Sequence, residues 1–239
     1  MVSKPFRWIV GGVLLVSSCT TPSSTAAPTT SIPPAGLPGR TTQVAPATAA
    51  PEPTGVPGLT ASDPYCAAWA AYAGTLQALG VAASFGNISG DQLAALELAA
   101  APRLVAVAAE IAASWPLELQ TEQSVVIEQR IGPYARRAQR AVDALRAAGV
   151  TDDELTTLTT AWQTSLAERD PRVAVIVLPE VPAELQTKLD AAGKAWDADV
   201  TPFAQDPSLL VGGVATPATD QYLAAHCPAL ASIGVGDAL

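Results

Sequence analysis

Helical spacing of apolar residues is the feature that most constrains the fold of this chain. Across residues 62–239, large apolar side chains recur every three or four positions in six separate stretches, which is the repeat of an α-helix. The first stretch, for example, runs through Tyr65, Trp69 and Tyr72. The spacing therefore predicts an all-α fold, a bundle of about six helices.

Capping residues and prolines mark where these helices begin and where they are disturbed. Asp63 precedes the first helix, and Ser89–Gln92 and Thr151–Glu154 have the capping-box pattern that opens a helix. Proline lacks the N–H group that an α-helix needs. We therefore expect Pro102 to kink the second helix or divide it in two, and Gly132-Pro133 to disturb the third.

One segment does not fit the helical pattern. Residues 173–178 read VAVIVL and lie between two prolines, a β-branched composition that favours extended backbone. A single strand has no partner within a helical bundle. We interpret it as a buried extended connection, with edge pairing to a partner chain as the alternative.

The first nineteen residues have the layout of a secretory signal. Lys4 and Arg7 precede an apolar run of nine residues, which is too short for the roughly 20 residues that a membrane-spanning helix needs. The sequence Val-Ser-Ser-Cys that ends at Cys19 resembles the lipobox of bacterial lipoproteins. The resemblance implies that residues 1–18 are removed and that Cys19 is acylated, which would anchor the protein to the extracytoplasmic face of the bacterial cell membrane. The alternative is an ordinary signal peptide.

A proline- and threonine-rich stretch follows the lipobox. Residues 20–61 contain nine prolines, ten threonines and only two charged residues. Such a composition buries too little apolar surface to offset its ordering entropy. We therefore predict three parts: a signal peptide over 1–18, a lipidated cysteine with a disordered linker over 19–61, and a helical domain over 62–239. The linker also resembles the O-mannosylated stalks of secreted proteins from high-GC Gram-positive bacteria, with a bare linker as the alternative.

Two cysteines are left once Cys19 is assigned to lipid. Cys66 lies at the start of the first helix and Cys227 at the end of the last. An even pair in an oxidising compartment predicts one disulfide. A nucleophilic or metal-bound thiol is the competing interpretation.

Charge and the scarcity of histidine exclude several classes of function. The net charge of −9 and the pI near 4.5 argue against nucleic-acid binding. His226 is the only histidine, so a His-based metal site cannot form. The sequence shows no nucleophile elbow, calcium loop or phosphate loop. We therefore expect a non-enzymatic protein without a metal or cofactor.

Two groups of residues are candidates for binding. Four arginines concentrate basic charge on the third helix and could meet an anionic headgroup or an acidic partner, the alternative being a solvated, internally paired face; they are Arg136, Arg137, Arg140 and Arg146. Four tryptophans on different apolar stripes could line an apolar pocket, the alternative being an ordinary core; they are Trp69, Trp115, Trp162 and Trp196.

These features together indicate a cell-surface lipoprotein. The whole chain resembles, in architecture and composition, the small uncharacterised lipoproteins of high-GC Gram-positive bacteria, a resemblance that implies no catalytic residue. We predict a non-catalytic interaction module that contacts an envelope protein or lipid. The alternative is a carrier of a lipid or other apolar ligand, which a tryptophan-lined cavity above about 300 Å³ would favour.

Overall fold

The fold of this chain is a helical bundle closed by a disulfide. A computed structural model describes residues 55–85, 88–168, 179–209 and 214–233, and every regular element within these ranges is helical. The predicted all-α fold is therefore confirmed. The six helices of ten residues or more are α1 (Pro64–Phe85), α2 (Gly90–Ala113), α3 (Gly132–Ala147), α4 (Asp152–Glu168), α5 (Ala183–Asp199) and α6 (Pro217–His226).

The predicted capping residues begin the helices as expected. The backbone N–H of Tyr65 donates to Oδ1 of Asp63 at 2.9 Å. Ser89–Gln92 forms a complete capping box at the start of α2, and Thr151–Glu154 forms the same reciprocal pair at α4. Gly149 ends α3 with a φ of 85°, in the left-handed region that glycine adopts at little steric cost.

Helix α2 is the central element of the domain, packed against α1, α3, α4 and α5. Its middle is buried on all sides because small and apolar residues, chiefly alanine and leucine, surround its axis there. Gly193 of α5 lies so near that an added Cβ would be 3.4 Å from the Cβ of Ala95. Pro102 lies inside α2, which continues to Ala113. The proline therefore does not divide this helix.

A π-helical segment, Val126–Ile131, leads directly into α3. Pro133 offers no N–H to the carbonyl four residues before it, and a wider turn accommodates that missing bond. A Cβ on Gly132 would lie 3.0 Å from the carbonyl oxygen of Ile127, so this position favours glycine. The predicted disturbance at Gly132-Pro133 is this change of helix type.

The folded domain begins before residue 62, the boundary predicted from composition. Val56 is buried, and its N–H donates to the carbonyl oxygen of Leu166 on α4 at 2.8 Å. A Cβ on Gly55 would lie 2.1 Å from the carbonyl oxygen of Ala167, so only glycine fits there. Residues 55–61 therefore belong to the domain, because an apolar side chain and a glycine dock them despite the linker-like composition.

The disulfide joins the two ends of the bundle. Cys66 in the first turn of α1 is bonded to Cys227, the residue after α6, with a sequence separation of 161 residues. The predicted pairing is therefore confirmed. In the chain-entropy account, closing so long a loop stabilises the fold by about 5 kcal/mol.

Some sequence predictions concern residues that the structure does not describe. Cys19, the signal peptide and the linker up to residue 54 are outside the described ranges, and so is the VAVIVL segment at 173–178. They stay predictions.

Candidate functional site

The four tryptophans predicted to line a pocket are packed in the core. Each is at most 8% exposed; they are Trp69, Trp115, Trp162 and Trp196. Trp69 and Trp115 both meet the ring of Tyr65 edge-on, with ring-centre distances of 6.2 and 5.4 Å. The indole N–H of Trp162 donates to Oγ1 of Thr75 at 3.0 Å. The structure thus joins two of the tryptophans through one tyrosine, and uses a third as a hydrogen-bond donor within the core.

The four arginines of the predicted basic patch have three different environments. Arg136 and Arg140 are exposed, one helical turn apart, and form no ion pair with any residue that the structure describes. Arg146 is exposed and pairs with Asp152 at 3.0 Å. Arg137 is only 2% exposed. Arg137 therefore does not belong to that surface, and Arg136 and Arg140 are its unpaired members.

Arg137 lies at the centre of a buried ionic cluster. Its Nε and Nη2 donate to the two carboxylate oxygens of Glu97 on α2, and its Nη1 donates to Oδ2 of Asp206 at 2.5 Å. Nη2 also donates to the carbonyl oxygen of Thr201 at 2.9 Å. The indole N–H of Trp196 also donates to Oε2 of Glu97 at 3.1 Å. One guanidinium thus ties α3 to α2 and to the segment after α5.

Ion pairing and hydrogen bonding shift the pKa values of Arg137 and Asp206. Burial alone would lower the pKa of Arg137, but Glu97 and Asp206 outweigh it and raise that pKa. Burial alone would raise the pKa of Asp206, and hydrogen bonds from Ser208 and Arg137 bring it below its ordinary range. Arg137 and Asp206 therefore both stay charged at neutral pH.

Sequence reasoning missed Glu97 and Asp206. Glu97 was visible as one carboxylate between Leu96 and Leu98 in a long apolar helix, a pattern that requires a buried partner for the charge. Nothing near Asp206 in the sequence indicates its partner. The geometry of this cluster is that of a structural cross-link, because each hydrogen-bonding nitrogen of Arg137 is occupied.

An open groove of about 680 Å³ lies between α1, α2 and α4. Its apolar lining consists mainly of small side chains, including Leu59, Ala67, Ala68, Ala71, Ala113 and Ala167. Its polar lining includes Gln163, Ser114 and the pair formed by Arg103 and Glu110. None of the four tryptophans lines this groove, so its position differs from that of the predicted pocket.

The pair formed by Arg103 and Glu110 lies within this groove. Nη1 and Nη2 of Arg103 donate to the two carboxylate oxygens of Glu110 at 2.5 and 3.0 Å. The Arg103 side chain is 9% exposed and that of Glu110 is 48% exposed. The remaining donor, Nε of Arg103, is buried and has no hydrogen-bond partner among the described residues. We take this groove as the candidate binding site.

His226, the only histidine, lies at the end of α6. Its ring stacks on that of Tyr222, with centres 4.3 Å apart and planes at 26°.

Among the described residues, no three His, Cys, Asp or Glu side chains are grouped so that they could hold a metal ion. None of the described helices has both the length and the apolar character needed to cross a membrane.

Comparison with known proteins assigns no family. The chain matches no protein-family model, no curated protein and no solved structure. Its function therefore has to be inferred from the geometry of its own groove and surfaces.

Proposed function

We propose that this protein is a non-catalytic binding module displayed on the bacterial cell surface, and that its ligand lies in the groove between α1, α2 and α4. The observation that carries the proposal is the groove itself. Its volume of about 680 Å³ falls within the range of about 300–1,000 Å³ that is usual for ligand pockets. The mixture of an apolar lining and a few polar groups is also typical of such sites. Of the two functions weighed from the sequence, these features favour the binding of an apolar ligand.

The proposed location depends on the N-terminal residues. The lipobox resemblance at Cys19, the nine-residue apolar run and the proline-rich residues that follow are typical of a lipid-anchored surface protein. In that arrangement the domain would be displayed in the cell envelope, where lipids are available as ligands.

Cys19→Ala tests the anchor. The substitution should leave the precursor unprocessed or release the protein from the membrane fraction, because no thiol would remain at that position to be acylated. A processed form that stays in the membrane fraction would contradict the proposed anchor. Immunoblots of fractionated cells give the readout.

Native mass spectrometry tests the groove. The full chain carrying Cys19→Ala, with Cys66–Cys227 oxidised, is incubated with extracted envelope lipids and compared with the same chain carrying Ala67→Leu. Ala67 lines the groove and is half-buried, so leucine should occupy the ligand's space without opening the core. Lipid adducts on the first protein that are lost from the second support the proposal. Equal adducts on both, or none on either, contradict it.

A second candidate is an interaction surface for an anionic partner, favoured by Arg136 and Arg140, which are exposed and have no ion-pair partner within the described part of the chain. Reversal of either arginine alone to glutamate should weaken binding to vesicles that contain anionic lipid. Lys194→Glu is the matched control, since Lys194 is exposed on α5. If the arginine reversal has no larger effect than the control, these arginines are an ordinary solvated face.

A further inference from the structure

The ion pair in the groove is oriented along its length. Arg103 and Glu110 are seven residues apart on α2, so their Cα atoms are separated by about two helical turns, or roughly 10 Å. The Arg103 side chain must extend parallel to the helix axis to reach Glu110. Its guanidinium therefore lies along the groove and beside the small apolar residues that line it.

The two partners of this pair differ in how readily they can be separated. The guanidinium is buried, whereas nearly half of the Glu110 side chain reaches solvent, at 48% exposure. A carboxylate that is half in water loses little when it leaves its partner. A buried guanidinium without any anion is strongly unfavourable. Replacement of Glu110 by another anion should therefore change the free energy of the protein little. Loss of every anion from Arg103 should be strongly unfavourable.

Glu110 does not satisfy every hydrogen-bond donor of Arg103. Its Nε–H is buried and has no partner among the described residues, and the residue as a whole is 8% exposed. A buried donor without an acceptor is unfavourable by about 1–3 kcal/mol. A ligand head is not tethered to α2 as Glu110 is, so it can also place an oxygen at Nε and satisfy this side chain more fully.

The apolar part of the groove has the shape for an aliphatic chain. Ala67, Ala68 and Ala71 come from α1, and Ala167 comes from α4. These short side chains leave a trough with apolar walls, and no aromatic ring is among the described residues that line it.

We propose that the groove binds an amphiphile with an aliphatic chain and an anionic head, a carboxylate or a phosphate, and that this head replaces Glu110 on Arg103. The inference rests on the proposed function and names its ligand class. The aliphatic chain lies against the alanines, and the head takes the place of Glu110 on the guanidinium with one of its oxygens at Nε.

Isothermal titration with four twelve-carbon amphiphiles tests this assignment on the full chain carrying Cys19→Ala, with its disulfide oxidised. The probes are dodecanoate, dodecyl phosphate, dodecanol and dodecyltrimethylammonium, all below their micelle concentrations. One or both anionic probes should bind most tightly. Dodecanoate alone would identify a fatty-acid type of head, and dodecyl phosphate alone would identify a phosphate head.

Two substitutions should change the affinity for the anionic probes in opposite directions. Glu110→Gln removes the competing carboxylate and should tighten binding by about tenfold, and Arg103→Gln should weaken it by about tenfold or more, as expected for a charged hydrogen bond. Affinity for dodecanol should stay the same in both variants. Because Glu110 is half-exposed, Glu110→Gln keeps the test valid even if Arg103→Gln does not fold.

The outcomes separate this inference from the proposed function. If all four probes bind alike, and Glu110→Gln changes nothing while Ala67→Leu abolishes binding, the anionic head is wrong and the groove remains the binding site. If no probe binds, or if Ala67→Leu has no effect, the groove itself is wrong and both proposals fail.

Discussion

Two arginines are buried beside the same central helix, and they differ in how fully they are satisfied. Arg137 donates hydrogen bonds from all three of its nitrogens, to two carboxylates and one carbonyl. Among the residues that the structure describes, Arg103 has one partner, Glu110, and its buried Nε has no acceptor. Both are more than nine-tenths buried, so burial alone does not separate them.

The difference indicates what each arginine does. A fully satisfied buried network fixes the arrangement of the elements it joins, and the Arg137 cluster joins three parts of the chain. A buried cation that is paired with one half-exposed anion can exchange that anion with little change in free energy. This property is expected of a binding site for an anionic ligand. We therefore assign Arg137 to the fold and Arg103 to the groove.

The largest expected difference is in stability after removal of each cation. Arg137→Met leaves Glu97 and Asp206 buried without a counter-charge and should lower the free energy of unfolding by about 3–5 kcal/mol. Arg103→Met leaves only the half-exposed Glu110 and should lower it by about 1 kcal/mol. Urea denaturation at pH 7 measures both. Equal losses would remove the distinction between the two arginines.

Acid should remove the contribution of Asp206. Asp206→Asn should lower stability at pH 7 by about 2 kcal/mol, the size of a charge-assisted hydrogen bond. The pKa of Asp206 is depressed in the folded protein, so its contribution is present above the unfolded value of about 3.9 and is lost as pH falls below that value towards the folded pKa.

Urea denaturation from pH 7 to pH 2.5 tests this prediction. The difference between wild type and Asp206→Asn should shrink below about pH 4. A difference that stays constant down to pH 2.5 would show that the carboxylate form of Asp206 does not stabilise the fold.

A smaller loss should follow from removing the indole donor at Glu97. Trp196→Phe keeps an aromatic ring but deletes the bond from Nε1 to Oε2 of Glu97, which measures 3.1 Å. Glu97 retains both bonds from Arg137, so the loss should be about 1 kcal/mol. A loss as large as that of Arg137→Met would mean that the indole, and not the guanidinium, holds the buried carboxylate.

The smallest effect on stability is expected at Glu110. Because Glu110 is 48% exposed and glutamine keeps an acceptor oxygen for the buried guanidinium of Arg103, Glu110→Gln should lower the free energy of unfolding by no more than about 1 kcal/mol. The same substitution at Glu97 is the matched control and should be clearly destabilising. If both glutamines are tolerated equally, the Glu97 cluster is no more structural than the groove pair.

The sequence predicted those features that depend on residues close together along the chain. The caps at Ser89 and Thr151 and the apolar stripes involve contacts within one or two helical turns, so spacing alone reveals them. The disulfide was predictable for a different reason, since Cys66 and Cys227 were the two cysteines left after the lipobox.

The ionic cluster and the groove were not predictable in this way. Arg137 binds Glu97 and Asp206, which are 40 and 69 positions away, and its helix neighbours Arg136 and Arg140 are exposed. The sequence therefore suggested one basic surface where the structure has three different arginine environments. The groove depends on the packing of α1, α2 and α4, which helical periodicity does not specify.

The resonances of the arginine Nε–H groups test the contrast between Arg103 and Arg137 most directly. In ¹H–¹⁵N spectra of the Cys19→Ala chain, the Arg103 signal is assigned by its loss in Arg103→Lys, and that of Arg137 by through-bond correlation. On addition of whichever anionic amphiphile binds, the account predicts that the Arg103 signal shifts and the Arg137 signal does not. An Arg103 signal that stays in place while the amphiphile binds, or equal shifts at both arginines, would contradict the account.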